Sequence, residues 1–256
     1  MANEIAARFC DVHKAFGKNV LYEGLNLEIR KGEILTILGG SGSGKSIMLK
    51  MMLGLLRADR GQVWIGEQEL GALDERGLFP VRRKVGMLFQ GGALFDSMNV
   101  LDNVSYGLVE RGERDRTLIA RRVAEVLAKV GMPGIEALMP SELSGGMKKR
   151  VALARAICVL PEILLYDEPT TGLDPVNVRR ISELILSLRA ELGVTSVVVT
   201  HDLPSAFMVS DRLAMLAERR IVEVAPTAQF RNSAAPAVRE FLGAMQSQPA
   251  QSQVQP

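Results

Sequence analysis

The chain has 256 residues, 47% of them hydrophobic and 23% charged, a balance that supports a buried core and excludes a disordered polymer. Lys and Arg number 31 against 29 Asp and Glu, and the net charge of +2 gives no electrostatic reason to expect nucleic acid. Two cysteines, Cys10 and Cys158, cannot build a disulfide framework, and no run approaches the roughly 18 apolar residues of a membrane span.

Residues 5–30 predict two strands broken at Gly17. In the second, Leu25, Leu27 and Ile29 alternate with Asn26 and Glu28, the period-2 pattern of a strand. Ile34–Leu38 is a short apolar run, and a helix is expected at Ile47–Leu53. Val63–Ile65 is a further strand, followed by Gly-rich connections up to a buried strand at Val85–Phe89. From about Gln90 to Cys158 the pattern becomes helical. Ile119, Val123, Val126, Leu127 and Val130 fall on one helix face, as do Met147, Val151, Ala154 and Cys158.

Beyond lie a strand at Ile163–Tyr166, a helix with Val178, Ile181, Ile185, Leu188 and Leu192 on one face, and a β-branched strand at Ser196–Thr200. Leu213–Leu216 and Ile221–Val224 complete the set. Strands alternating with helices predict an α/β fold with a parallel sheet covered on both faces. Residues 91–158 are expected as a helical insertion within one unit spanning 5–244. Val238, Phe241, Leu242 and Met245 predict a short C-terminal helix whose apolar face docks on a neighbouring subunit. The uncharged, Gln-rich tail 245–256 is expected to be mobile. Met1–Arg8 has no apolar run, so no signal peptide is expected and the chain reads as cytosolic.

Two segments carry chemistry. Gly39-Gly40-Ser41-Gly42-Ser43-Gly44-Lys45-Ser46 fits the phosphate-loop pattern between a strand and a helix. Its glycines let backbone N–H groups converge on an anion, and the helix N-terminus adds partial positive charge. Lys45 suits the β- and γ-phosphates, and the Ser46 hydroxyl suits Mg²⁺. Further on, an apolar strand delivers Asp167 and Glu168 at its C-terminal end, where open α/β sheets bind ligands. Asp167 is the candidate Mg²⁺ support, and Glu168 the candidate to polarise a water against the γ-phosphate.

Leu143-Ser144-Gly145-Gly146 follows Lys45 by about a hundred residues and precedes Asp167 by some two dozen, at the head of an amphipathic stripe. With this ordered set the chain resembles the ATP-binding-cassette (ABC) nucleotide-binding subunits over residues 5–230. The resemblance implies a P-loop NTPase, RecA-like, with an N-terminal antiparallel β subdomain and an inserted helical subdomain. It implies ATP as substrate, Mg²⁺ as cofactor, and a second copy packed head to tail, Ser144, Gly145 and Gly146 closing over the nucleotide of the other copy. Gln90 matches the family's glutamine beside Mg²⁺ or the attacking water. His201 matches its γ-phosphate histidine, and Asp174 lies in the loop that crosses the dimer interface. Phe16 stands where the family stacks an aromatic on adenine. Gly40 and Ile47 depart from the frequent Pro and Thr without removing a phosphate contact.

The segment Phe89–Val104 and the Met147-Lys148-Lys149 run resemble the ATP-binding subunits of Mla-type, MCE-associated lipid transporters. That likeness implies phospholipid transport in the upkeep of outer-membrane lipid asymmetry, from the cytoplasmic face of a bacterial inner membrane. It implies three partners: a permease of the MlaE kind, a small STAS-domain protein of the MlaB kind, and an MCE-domain protein of the MlaD kind. An importer cassette for amino acids or metals, or a soluble non-transport ABC ATPase, stays open as an alternative. The basic run Arg111–Arg122 and the cluster Lys148–Arg150 are expected as solvated helix faces, with an anionic lipid or partner as the second reading.

Overall fold

The structure, a computed structural model, describes residues 4–246. Of the tail 245–256, expected to be mobile, Met245 and Gln246 instead close the last helix, and residues 247–256 lie outside the described residues. In chain order the elements are β1 (Ile5–Phe16), β2 (Asn19–Arg30), β3 (Ile34–Leu38), α1 (Lys45–Met52), β4 (Arg60–Ile65), β5 (Gln68–Glu69), α2 (Glu75–Arg82) and β6 (Val85–Leu88). Then come α3 (Val100–Glu110), α4 (Arg116–Lys129), a 3-10 turn at Pro140–Glu142, α5 (Gly145–Cys158), β7 (Ile163–Asp167) and α6 (Pro175–Leu192). The chain continues through β8 (Thr195–Val199), α7 (Leu203–Val209), β9 (Arg212–Ala217), β10 (Arg220–Pro226), α8 (Thr227–Phe230) and α9 (Pro236–Gln246).

Two sheets result. The first is antiparallel, in the order β2-β1-β4-β5; its β1–β2 hairpin turns at Gly17, whose φ of +59° suits a residue without Cβ. The second has the order β10-β9-β3-β8-β7-β6, with β9, β3, β8, β7 and β6 parallel and β10 antiparallel at the edge. Every residue of β3, β6, β7 and β8 is buried, as both faces of a parallel sheet require. One core packs the antiparallel sheet and α1 against one face of this sheet, and a second packs α3–α6 against the other. The amide of Glu23 donates to the Arg219 carbonyl at 3.0 Å and joins the two sheets. This is the α/β cassette architecture expected from the sequence.

The expected stripes are the buried ones: Val123, Val126 and Leu127 of α4, and Val151, Ala154 and Cys158 of α5, are all within 1% of full burial. Burial pushes the Cys158 thiol up to about 11, and both cysteines are free. Three helices appear where none was expected. In the Gly-rich stretch before β6, the Asp74 carboxylate caps α2 by accepting from the Gly77 amide at 2.8 Å, and the helix tolerates Pro80 in its interior. Asp202 caps α7 in the same way, and α8 is a single turn after β10.

The expected C-terminal helix is present as α9, and part of its apolar face packs within the chain. Val238 is fully buried against Leu38, Leu203 and Phe230 of the same chain, and Phe241 and Leu242 pack partly onto that cluster. The helix therefore covers part of its apolar face within the chain, in a hydrophobic cleft left by β9, α7 and α8. Burial of a side chain such as Val238 contributes on the order of 1.5 kcal/mol.

The basic run is also not a simple solvated face. Arg111 donates to the carbonyls of Val159 and Arg83, and Arg122 to those of Cys158 and Ile157. Two cations thus satisfy the last carbonyls of α5, where the helix dipole favours positive charge. Arg116 and Arg121 remain on the surface. No helix among the described residues is long and apolar enough to cross a membrane.

Candidate functional site

Parallel register brings the chemistry to one edge. Ile37 lies beside Val199, Asp167 beside Val199, and Leu88 beside Tyr166, so β3, β8, β7 and β6 all end together. The phosphate loop leaves β3, Glu168 leaves β7, His201 leaves β8 and Gln90 leaves β6. Four segments distant in sequence meet at the C-terminal edge of the sheet, where the last strand carbonyls and the following helix N-termini leave a crevice.

The loop is built by exclusion of side chains. A Cβ on Gly39 would lie 2.7 Å from the Leu216 carbonyl oxygen, and one on Gly44 would lie 2.8 Å from the Tyr22 hydroxyl. Gly44 caps α1 at φ +103°, a conformation that favours glycine. Gly40 and Gly42 have open space around the Cβ position, so the Pro-to-Gly departure meets no obstacle. Ser43 donates its amide to Gly40 at 3.2 Å, while its buried hydroxyl has no partner. Ser41 lies exposed in the same loop. Ile47 packs its side chain on the core behind the loop and gives its amide to Gly44.

Lys45 is buried, its Nζ donating to the Gly39 and Gly40 carbonyls at 2.8 and 3.0 Å. Burial pulls its pKa below the usual lysine range, against the attraction of Glu168 and Asp167. Ser46 Oγ donates to Asp167 Oδ1 at 2.7 Å. Burial pushes the Asp167 carboxyl up, opposed by that hydrogen bond and reinforced by the charge of Glu168.

The Glu168 carboxylate is held from three sides. Thr171 and Thr200 hydroxyls each donate at 3.1 Å, and His201 Nδ1 lies 3.0 Å away. An ionised carboxylate has about four lone-pair sites, so one acceptor position remains. The backbone of Glu168 is left-handed, φ +47°, and its amide donates to Val199 at 2.9 Å.

The other expected residues are placed as follows. The Gln90 side chain is exposed and makes no hydrogen bond among the described residues. Phe16, at the end of β1, is 47% exposed with Lys14 Nζ 5.2 Å from its ring centroid, which leaves the ring accessible. Ser144 caps α5 by accepting from the Met147 amide, and Gly145 has open space around it. Gly146 faces Asn177 of α6, with 3.0 Å between its ideal Cβ and the amide. The Asp174 carboxylate caps α6, accepting from the Val176 and Asn177 amides at 3.0 Å and from the Asn177 side chain. His13 pairs with Asp11 at 3.2 Å, apart from this edge.

Several residues of the site were invisible to pattern reading. Thr171 and Thr200 carry no motif; their roles come from a turn and a strand end that fold together. Lys149 is the clearest case. Its neighbours suggested a solvated cluster, yet it is buried and donates to the Pro169 and Thr171 carbonyls. Helix α5 is buried almost all round, so no polar face was available to it.

The donors fit a nucleotide with a divalent cation. The orphaned Ser43 hydroxyl and the glycine cradle suit phosphate oxygens, and the Ser46–Asp167 oxygen pair suits Mg²⁺, which prefers hard oxygen ligands beside phosphates.

Comparison with known proteins points the same way. The family described as ABC transporter matches residues 22–171. The intermembrane phospholipid transport system ATP-binding protein MlaF of Haemophilus influenzae is 40% identical, over 88% of this chain and 86% of its own length. The probable ribonucleotide transport ATP-binding protein mkl of Mycobacterium tuberculosis is 41% identical over 90% of this chain, which spans 64% of that relative's length. Among solved structures, the dimeric post-hydrolysis state of the ATP-binding cassette MJ0796 bound to ADP and Pi superposes with a TM-score of 0.79 at 33% identity, covering 86% of this chain and 98% of that one. A cassette whose motifs share one sheet edge, matched over most of its length by such relatives, belongs to the ABC transporter family.

Proposed function

We propose that the chain is the ATP-hydrolysing subunit of a phospholipid transporter, working as a head-to-tail pair beneath a membrane permease. The convergence of the phosphate loop, Asp167, Glu168 and His201 on one edge supports the ATPase reading. Backbone amides of residues 42–46 and the N-terminus of α1 hold the β- and γ-phosphates. Lys45 exchanges the Gly39 and Gly40 carbonyls for phosphate oxygens. Phe16 stacks on adenine, its π-face intact without the tyrosine hydroxyl.

Ser46, Asp167 and Gln90 would hold Mg²⁺, which when bound would supply neutralisation of phosphate charge. Glu168 uses its remaining acceptor position to orient the attacking water. Nδ1–H of His201 donates to Glu168, which leaves Nε2 for the nucleotide side. Ser144, Gly145 and Gly146 of a second copy close over the γ-phosphate, and the loop ending at Asp174 crosses between the copies.

The phospholipid assignment is supported by likeness to MlaF over 86% of that protein's length. On this reading the chain sits at the cytoplasmic face of the inner membrane with a permease of the MlaE kind, an MlaB-like STAS-domain protein and an MlaD-like MCE-domain protein. A second reading, ribonucleotide transport, draws on the name of the mycobacterial relatives. The membrane complex reconstituted in liposomes separates the two. ATP turnover that responds to phospholipid composition, with labelled lipid moved between membranes, supports the first. Turnover stimulated by ribonucleotides, with no lipid moved, replaces it with the second.

The closure of the LSGG segment has its own test. Gly146→Glu brings a negative charge into the segment that closes over the γ-phosphate of the other copy's nucleotide. The expected result is ATP affinity near wild type with turnover lowered about 100-fold or more. The Asn177 carboxamide, itself tied to Asp174, has to shift by a few tenths of an ångström to admit the new Cβ, so the variant's fold is checked by circular dichroism beside its turnover. Wild-type turnover in this variant would show that the segment is structural only.

A further inference from the structure

Two lysines are buried among the described residues, and one of them, Lys45, is absorbed by the phosphate loop. The other, Lys149, sits on α5 one helical turn beyond Gly145 and is 6% exposed. Its Nζ lies 2.6 Å from the Thr171 carbonyl oxygen, 2.9 Å from that of Pro169 and 3.4 Å from that of Glu168. An ammonium carries three protons, and here three backbone carbonyls converge on it. Among the described residues its hydrogen-bond partners are these backbone carbonyls, with the charge of Glu168 nearby. The turn that follows β7 therefore has its carbonyl dipoles pointed inward at one cation.

That turn is the one that carries Glu168. Its left-handed backbone at φ +47° is unfavourable for a residue with a Cβ and persists only if neighbouring contacts enforce it. The amide of Glu168 is fixed by Val199, and the carbonyls that follow it are fixed by Lys149. The same lysine stands on the helix whose first residues are the LSGG segment. Arg155, further along α5, donates to the Gly92 and Ala93 carbonyls just after Gln90. Helix α5 thus touches both segments that flank the attacking water.

We propose that Lys149 is a positioning residue that locks the Glu168 turn to the LSGG helix of the same chain, so that closure over one nucleotide aligns Glu168 at the other. This rests on the ATPase reading above. A Met at 149 keeps the length of the side chain and removes every donor. A Gln keeps two N–H donors without the charge. Burial already holds the Lys149 pKa below the usual range, so the site accepts the charge at a cost that the converging carbonyls offset.

The test compares wild type, K149M and K149Q in the full-length chain, extracted with its membrane complex. Turnover, KM for MgATP, nucleotide affinity and amide hydrogen exchange without nucleotide are measured together. K149M is expected to lower kcat about 10- to 100-fold with KM changed by less than about threefold. Exchange should quicken across residues 168–173 while residues 39–46 keep wild-type protection. K149Q should recover part of both. K149M with wild-type kcat, or with unchanged exchange in 168–173, overturns the proposal. Loss of nucleotide affinity in step with kcat, equal in both variants, also overturns it, since that marks a folding role. Absence of turnover in the wild type overturns the ATPase reading, and the positioning role falls with it. Full turnover retained by K149M beside an active wild type overturns the positioning role alone.

Discussion

Glu168→Gln is expected to lower ATP turnover by about 100- to 10,000-fold while ATP still binds. The substitution keeps the shape of the side chain and removes the charge that orients water. Thr171 and Thr200 can still donate to the carboxamide oxygen, so the turn is preserved. His201 loses an anionic acceptor and meets an N–H₂ group, which changes the tautomer it holds. Binding survives because Lys45, Ser46 and the loop amides do not depend on that charge. Phosphoryl transfer depends on positioning and electrostatics more than on covalent help from the protein, so the loss falls on the chemical step. With cleavage blocked, two chains should stay closed around ATP, visible as an ATP-dependent dimer by size exclusion. Near-normal hydrolysis by this variant would move the role to another group, with His201 and Gln90 the next candidates.

Lys45→Ala is expected to weaken MgATP binding by at least about 10- to 100-fold, the range of a lost hydrogen bond to a charged group. The lysine is buried in the loop and spans from α1 to the Gly39 and Gly40 carbonyls. Truncation removes the cation that meets the phosphates and takes the Nζ donor from both carbonyls, Gly40 keeping only the Ser43 amide, so the cradle loses shape as well as charge. Lys45→Met separates the two effects, since it retains bulk and removes charge. Titration calorimetry with MgATP measures both. Affinity equal to wild type in either variant would remove the loop from the binding site. The two variants differ from Glu168→Gln in kind: one class fails to bind, the other binds and does not cleave.

The likeness to the cassettes was legible because it depends on local chemistry. A glycine cradle ending in Lys45-Ser46, a strand ending in Asp167-Glu168, and Ser144 capping a helix after Leu143 are each written within a few consecutive residues. Strand and helix periods likewise follow from neighbours one to four positions apart, so β3, β7, β8, α4 and the long α6 could be read directly. Where the local signal was mixed, as at α2 with Pro80 inside it, the element was not readable, since the Asp74 cap and packing outweighed propensity.

The amino-acid sequence by itself determined the cassette fold and the phosphate, carboxylate and LSGG segments, because each needs particular residue types at fixed short spacing. The tertiary structure decided what those segments touch. Parallel register set Gln90, Glu168, His201 and the loop on one edge, a distance relation no local pattern contains. Folding put Lys149 under the Glu168 turn, Arg111 and Arg122 on the carbonyl end of α5, and Val238 against Phe230. In each case a charged or apolar side chain found its partner many residues away. Burial made that pairing necessary, since a cation or a hydrophobic face without a partner costs more inside the protein than on its surface.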